Sequence, residues 1–253
     1  MDLNGKTILI TGTTSGIGKA IVNELINYDC KIISVARNPE KLAAQKKTAP
    51  DKIFTFQCDF TNFEEIKNVY QLIKNEFSVP DIVILNAGIS SKSKIEEIGV
   101  EQNLNVISTN FTANLIFCDL LLPDFIKRNS GIIAGVSSLA DNRAYSLSSV
   151  YSATKSAFTI FLEGLAVEAK RYNFKICTIR PGFVKSQITD QNEFNMPLLM
   201  TGKKAAKIIV RGLQKEKRYI QFPFLMYFLT RIFGLIPNLV FEKLFSKSIP
   251  DKK

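Results

Sequence analysis

Thr11-Gly12-Thr13-Thr14-Ser15-Gly16-Ile17-Gly18 is the stretch on which the architecture turns. An apolar run at 7–10 leads into it, and apolar residues at helical spacing (Ile17, Ala20, Ile21 and Leu25) follow at once. A strand that turns through glycines into a helix has the form of a first βα junction. Its glycines let the backbone close on a pyrophosphate, whose charge meets unpaired N–H groups at the positive end of the helix dipole. A Gly-rich turn alone is a weak signal, and a plain structural turn would share it. The strand before and the helix after give it weight. No Gly-Lys-Ser/Thr follows, so a dinucleotide is favoured over a hydrolysed nucleotide triphosphate.

Outward from this turn, apolar β-branched runs alternate with stretches of helical period. Strands are expected at 7–10, 31–35, 53–56, 82–85, 131–136 and 175–179, and helices near 16–27, 39–47, 63–77, 101–122 and 151–171. Several strands are apolar almost without interruption, as expected where helices cover both faces. Six strands with interleaved helices predict an α/β fold, a doubly wound parallel sheet of Rossmann-like form, with its ligand crevice at the carboxyl ends of the strands. No linker rich in Gly, Pro or Ser divides the chain and no repeat is visible. The expectation is one domain, with a body at 1–202 and a basic, apolar segment at 203–253 continuing it.

Composition narrows the chemistry. The chain has 253 residues, 46% apolar and 22% charged, which fits a globular domain and excludes disorder and a disulfide scaffold. Histidine is absent, so Ser-His-Asp and Cys-His catalysis and imidazole metal sites cannot be built, and no metal is expected. Cys30, Cys58, Cys118 and Cys177 form no C-x-x-C pair and read as reduced, buried thiols. The start, Met1-Asp2-Leu3-Asn4-Gly5-Lys6, lacks the basic and apolar regions of a signal peptide, so a cytoplasmic protein is expected. Net charge is +10, yet residues 1–202 hold 21 basic and 20 acidic residues while 203–253 hold 12 and 3. The excess belongs to one end.

Three further places carry chemistry. The second strand runs into Arg37, where an acidic residue would accept from the adenosine ribose and an arginine would pair with a 2′-phosphate. Arg37 therefore points to NADP(H) rather than NAD, although a solvated surface arginine is the bland alternative. Asp59-Phe60 follows the third strand and places a carboxylate where it could meet an adenine amino group, or serve as an ordinary loop-start aspartate. Tyr151-Ser152-Ala153-Thr154-Lys155 opens a predicted helix, and i, i+4 spacing sets phenol and ammonium on one face. The cation would favour phenolate and lower the tyrosine pKa, giving a proton donor and acceptor in a protein without histidine. Alone, Tyr-x-x-x-Lys is usually a solvated helix face.

Taken together, these residues resemble the short-chain dehydrogenase/reductase family in its shorter, single-domain branch, from Asn4 to about Ser186. Gly12, Thr14, Ser15, Gly16, Ile17 and Gly18 match the family's cofactor turn, Asp59 and Phe60 its adenine contact, and Asn86-Ala87-Gly88 the loop after its fourth strand. Asn110, Ser138, Tyr151 and Lys155 fall where the family keeps its catalytic four, and Pro181, Gly182 and Val184 lie beside the nicotinamide. The resemblance implies that Tyr151 moves the proton of a carbonyl/alcohol pair while Ser138 holds the same oxygen. Lys155 would bind the nicotinamide ribose, and Asn110 would fix a water in the proton relay. Ser137, beside Ser138, is expected to be structural. Two departures stand out: Leu85 replaces a frequent asparagine, and Ser186 stands near the family's usual threonine.

With Arg37 pointing to NADP(H), the resemblance leads to the expectation of an NADP(H)-dependent oxidoreductase interconverting a carbonyl and an alcohol on a small apolar substrate, with lipid-like, acyl and polycyclic ketones as candidates, and of a homodimer or homotetramer. A non-catalytic sensor or scaffold docking through its C-terminal segment is the rival, and the intact four residues argue against it. Residues 187–200, with Phe194, Met196, Leu198, Leu199 and Met200, are expected to form an apolar lid. Beyond, seven basic residues between 203 and 218 precede an aromatic run interrupted by Arg231, Gly234 and Pro237. That run is too broken to span a bilayer. It reads either as a lid and subunit interface or as membrane-surface contact through 203–247. No nucleic-acid partner is expected, because the basic residues come without a recognition motif.

Overall fold

In a computed structural model that describes residues 1–90, 99–144, 146–190 and 196–246, seven strands form one parallel sheet. They are β1 (Thr7–Thr11), β2 (Lys31–Ala36), β3 (Ile53–Gln57), β4 (Ile82–Leu85), β5 (Ile132–Val136), β6 (Lys175–Pro181) and β7 (Tyr219–Phe222), in the order β3-β2-β1-β4-β5-β6-β7. Strand order reverses between β1 and β4, and this switch point opens the crevice at the carboxyl ends. All six expected strands are present. The seventh was not expected: Tyr-Ile-Gln-Phe is too short, between basic and aromatic runs, to show a strand period.

Helices cover both faces: α1 (Gly16–Leu25), α2 (Pro39–Lys46), α3 (Phe63–Phe77), α4 (Val100–Ile107), α5 (Ala113–Arg128), α6 (Ser149–Glu168), α7 (Gln187–Asp190), α8 (Gly202–Gln214), α9 (Phe224–Gly234) and α10 (Asn238–Ser246). Side chains alternate along each strand, so Ile8 and Ile10 pack with Ile21 of α1 and Ile209 of α8, while Leu9 packs with Ile66 of α3 and Phe117 of α5. Each large apolar side chain buried this way contributes roughly 1.5–3 kcal/mol relative to exposure. Helix starts follow local chemistry. Asn38, Asn62 and Thr201 each accept a hydrogen bond from the backbone N–H three residues on, and Pro39 occupies the first helical position, where no N–H is needed.

The region expected as one helix at 101–122 is α4 and α5 joined through a widened turn at Ser108–Thr112. Such turns insert one extra residue and re-aim the side chains they carry. By length and composition the run Val100–Arg128 could cross a membrane. Instead Phe117, Leu121 and Phe125 are buried against the sheet. Within 203–246, α8 and β7 complete the sheet and its helical cover.

Candidate active site

A cleft of about 360 Å³ lies over the carboxyl ends of the strands. Gly12, Thr14, Ser15, Gly16, Ile17, Arg37, Asp59, Phe60, Asn86, Ala87, Gly88, Ser138, Tyr151, Lys155, Pro181, Gly182 and Val184 all line it, although they are scattered across 173 positions of sequence. Gly18 and Asn110, the other two expected site residues, stand behind the wall and shape it.

The glycine turn is held from below. Gly12 adopts φ +70°, and a Cβ there would lie 2.8 Å from Ala87 Cα. A Cβ on Gly18 would run into Gly12 O, so the helix can approach the strand only without a side chain at that position. Asn86 donates from Nδ2 to Thr11 O at 2.9 Å and to Gly12 O at 3.0 Å, while Thr11 Oγ1 accepts from the N–H groups of Asn86 and Ala87. Asn86 thus pins the turn to the loop after β4. Underneath, Thr13 Oγ1 and Ser34 Oγ share a hydrogen bond of 2.5 Å, Ser34 donates to Gln45 Oε1, and Gln45 Nε2 donates to Thr13 O. This buried triad was not legible beforehand, because its members are 11 to 32 residues apart and form no motif.

Arg37 is exposed at the rim beyond β2, and Asp59 Oδ1 accepts from Thr61 N and Thr61 Oγ1. The loop-start reading of Asp59 therefore holds, and the same residue also lines the cleft.

Deeper in, Ser138 ends the β5 extension and hydrogen-bonds the Tyr151 phenol. Ser137 turns the other way, donating to Lys155 O at 2.9 Å and accepting from Thr159 Oγ1 at 2.7 Å, a structural role as expected. Lys155 is 4% exposed, with Nζ donating to Val136 O at 2.9 Å and standing 5.8 Å from the Tyr151 ring centre. The expected depression of the tyrosine pKa is corrected by this environment. Burial raises the phenol, nearby Asp141 raises it further, and the Ser138 hydrogen bond offsets only part of this. Burial also pulls the Lys155 ammonium down to about 8. The phenol is protonated at neutral pH.

Asn110 sits on the widened turn. Its Oδ1 accepts from Ile89 N at 2.8 Å, and Nδ2 donates to Ile89 O at 2.9 Å and Thr154 Oγ1 at 3.1 Å. The side chain ties the backbone of Ile89, which follows the Asn86–Gly88 loop, to Thr154 of α6. A Cβ on Gly88 would lie 3.3 Å from Lys155 Nζ and 3.4 Å from Asn110 Oδ1, a tight fit, so glycine lets both polar atoms pack close against the loop.

The expected lid is only partly built as such. Ile188 and Gln187 of α7 reach the cleft, but Leu198 and Leu199 are 48% and 46% exposed, and Met200 is buried, pairing with Val184 as a β-bridge. Met200 is therefore core, because its backbone bonds to Phe183 and Lys185 draw it under the wall. Residue Phe194 lies outside the described residues.

Residues 6–196 match the short chain dehydrogenase family. The chain belongs to that family. It is an oxidoreductase of the short-chain dehydrogenase type, and the sensor reading is not favoured. An uncharacterised oxidoreductase of Myxococcus xanthus is 28% identical over 244 residues, covering 95% of this chain and 96% of the relative. Among solved folds, a short-chain dehydrogenase of Burkholderia phymatum in complex with NAD superposes with a TM-score of 0.83 at 17% identity, covering 91% and 93% of the two chains. L-Sorbose reductase of Gluconobacter frateurii, complexed with NADPH and L-sorbose, gives 0.76 at 22% identity over 88% and 96%.

The family's nicotinamide dinucleotide fits this dehydrogenase. Glycines at 12, 16 and 18 let the turn approach without side chains at those positions, and the same cleft is lined by Ser138, Tyr151 and Lys155. Among the described residues no cluster of His, Cys, Asp or Glu could hold a metal ion. Sequence reasoning missed the layer behind the catalytic wall. Asp141 is buried with Arg180 Nε at 2.6 Å, accepts from Thr159 Oγ1 at 2.7 Å and faces Arg231 of α9 at 3.7 Å. Nothing in the local pattern around Asp141 announces an ion pair with residues 39 and 90 positions away.

Proposed function

We propose that this oxidoreductase interconverts a carbonyl and an alcohol on a small apolar substrate, with NADP(H) preferred over NAD. The observation that carries the reading is geometric: the Tyr151 phenol is hydrogen-bonded to Ser138, and the buried Lys155 Nζ stands 5.8 Å from its ring centre in one cleft with the glycine turn. A bound dinucleotide would supply or accept the hydride, and the chain would supply orientation and proton transfer. Ser138 would donate a hydrogen bond to the substrate oxygen, and Tyr151 would give that oxygen its proton as negative charge develops. Asn110 would help fix a water of the proton relay, through which Lys155 would restore the phenol proton.

Arg37 at the cleft rim, with no carboxylate at the end of β2, supports recognition of a 2′-phosphate. Four cysteines that are all free and buried support a reducing, cytoplasmic setting. Exposed Val100 and Leu104 on α4 and Ile160 and Val167 on α6 support a homodimer or homotetramer. The test of the mechanism is Tyr151→Phe with a panel of apolar ketones and NADPH. The variant should fold and bind dinucleotide with turnover reduced by roughly 100-fold or more. Turnover near the wild-type level would overturn the assignment.

A further inference from the structure

Arg231 is the only charged residue of α9, a helix otherwise built of apolar and aromatic residues and Thr230. Its guanidinium faces the carboxylate of Asp141 at 3.7 Å, in the turn Leu139–Asp141 that follows Ser138. That carboxylate is a meeting point of the catalytic wall. Asp141 Oδ2 accepts from Arg180 Nε of β6 at 2.6 Å and from Thr159 Oγ1 of α6 at 2.7 Å. Its backbone O accepts from Ser156 Oγ at 2.6 Å, one residue past Lys155. Ser138 Oγ accepts from Ala140 N at 3.1 Å, so the turn that carries Asp141 also orients the hydroxyl that meets the Tyr151 phenol. Arg180 stands directly before Pro181 and Gly182 of the cleft wall.

The charge of Asp141 is only partly answered from within the wall. Arg180 is shared, with Nε on Asp141 and Nη2 on Glu163 Oε1 at 3.0 Å, so one cation serves two acids. Asp141 Oδ1 is buried and accepts no hydrogen bond among the described residues. Arg231 faces this open oxygen and is the second cation of the cluster. A buried carboxylate near the site disfavours phenolate, and Asp141 acts on Tyr151 in that sense. A guanidinium beside the same carboxylate opposes the effect. The other ionisable groups that face these two are Lys155, 5.8 Å from the Tyr151 ring centre, and two tyrosines. Tyr219 of β7 lies 5.3 Å from the Arg180 guanidinium, and Tyr227 of α9 lies 5.5 Å from that of Arg231.

Helix α9 is seated so that it delivers this charge. Asn142 Nδ2 donates to Thr230 O at 2.7 Å, beside Arg231 in sequence. A Cβ on Gly234 would run into Asn142, so the helix can lie this close to the segment after Ser138 only with glycine there. Arg143 donates to Gly234 O at 3.3 Å and to Ile236 O, which holds the end of the helix to the same segment. The position of Arg231 is thus fixed by the chain that leads out of the catalytic serine.

We propose that Arg231 is a positioning residue for Tyr151: held by α9 against the open oxygen of Asp141, it balances the charge behind the catalytic wall and so sets how readily the phenol exchanges its proton. Helix α9 thereby completes a site to which it gives no catalytic residue. The consequence for turnover rests on the reading of Tyr151 as proton donor, and the charge coupling does not.

The test is fluorine NMR of the full chain carrying ring-fluorinated tyrosine at its seven tyrosines, the Tyr151 signal being the one absent from Tyr151→Phe. Fluorination weakens the phenol's hold on its proton and brings the titration into milder pH. Arg231→Met should raise the Tyr151 midpoint by roughly 0.5–1 pH unit, and Asp141→Asn should lower it by a similar amount. Arg231→Lys keeps the charge and should stay close to wild type. Opposite signs from the two members of one pair report charge, whereas loosened packing acts in one direction for both. The Arg231 side chain is 35% exposed, so its variants fold, and Arg231→Met alone decides if Asp141→Asn, which leaves Arg180 buried with less compensation, does not fold. With NADPH and cyclohexanone or acetophenone, Arg231→Met should lower kcat roughly 2–3-fold with KM little changed, as expected for a weaker acid, and Arg231→Lys should restore it. A Tyr151 midpoint that Arg231→Met lowers or leaves in place overturns the proposal, as does one that Arg231→Lys shifts as far as Arg231→Met. Midpoint shifts of the expected signs without NADPH turnover on either ketone would sink the reductase reading and leave the charge coupling standing.

Discussion

Lys155→Met separates what the buried ammonium costs the fold from what it gives the site. Burial lowers this lysine from 10.5 to about 8, a displacement worth about 3 kcal/mol at about 1.4 kcal/mol per pKa unit. Below pH 8 the lysine is charged in both folded and unfolded chains, so the folded state carries the full desolvation cost. Between 8 and 10.5 the unfolded chain holds the proton and the folded chain releases it, so wild-type stability from this group rises with pH. Above 10.5 the cost is gone. Methionine removes the charge at similar length but leaves Val136 O without its donor, a loss of about 1–3 kcal/mol at every pH. The variant should therefore be as stable as wild type or up to about 2 kcal/mol more stable near pH 7, and clearly less stable near pH 10.5. The difference between the two offsets should be about 3 kcal/mol. Urea unfolding of both proteins at the two pH values measures it, because other titrating groups cancel in the comparison. An offset independent of pH would mean that the ammonium is fully compensated where it sits, and would refute the argument. Turnover should fall sharply in the same variant.

Three further expectations follow from the site. Reduction rates should hold through neutral pH and decline above about 8 as Lys155 loses its proton, with the raised Tyr151 contributing no acid limb; a profile that rises past 8 would contradict this. Arg37→Ser should raise the dissociation constant of NADPH roughly 10–100-fold, the loss expected for a charge-assisted contact, and leave NADH nearly unchanged in titration calorimetry. Gly18→Ala should displace the turn that Asn86 pins, abolishing dinucleotide binding and destabilising the fold by about 1–3 kcal/mol; a variant with ordinary NADPH affinity would show that the turn can yield.

How far the site could be read in advance depended on the range of the interactions that build it. Gly12, Gly16 and Gly18 lie within one turn of chain, and their meaning comes from the strand before and the helix after. Tyr151 and Lys155 share a helix face by spacing alone. Arg37 and Asp59 gain theirs from standing at strand ends. In each case the period of a strand or helix converts sequence distance into direction, and the residue type then limits the chemistry.

What the amino-acid sequence determined by itself was the βα alternation, the six longer strands, the Gly-rich junction and the residues that meet around it. What only the tertiary structure decided was the role each one plays there. Asn86 and Asn110 hold loops through hydrogen bonds to distant backbone, and burial reverses the expected shift of the Tyr151 phenol. Residues Met200 and Tyr219–Phe222 join the sheet and its core, and Asp141 gains its arginines from β6 and α9. The reason is physical: periodicity and turn chemistry are local, while desolvation, ion pairing and backbone satisfaction depend on which distant groups the fold brings within a few ångströms.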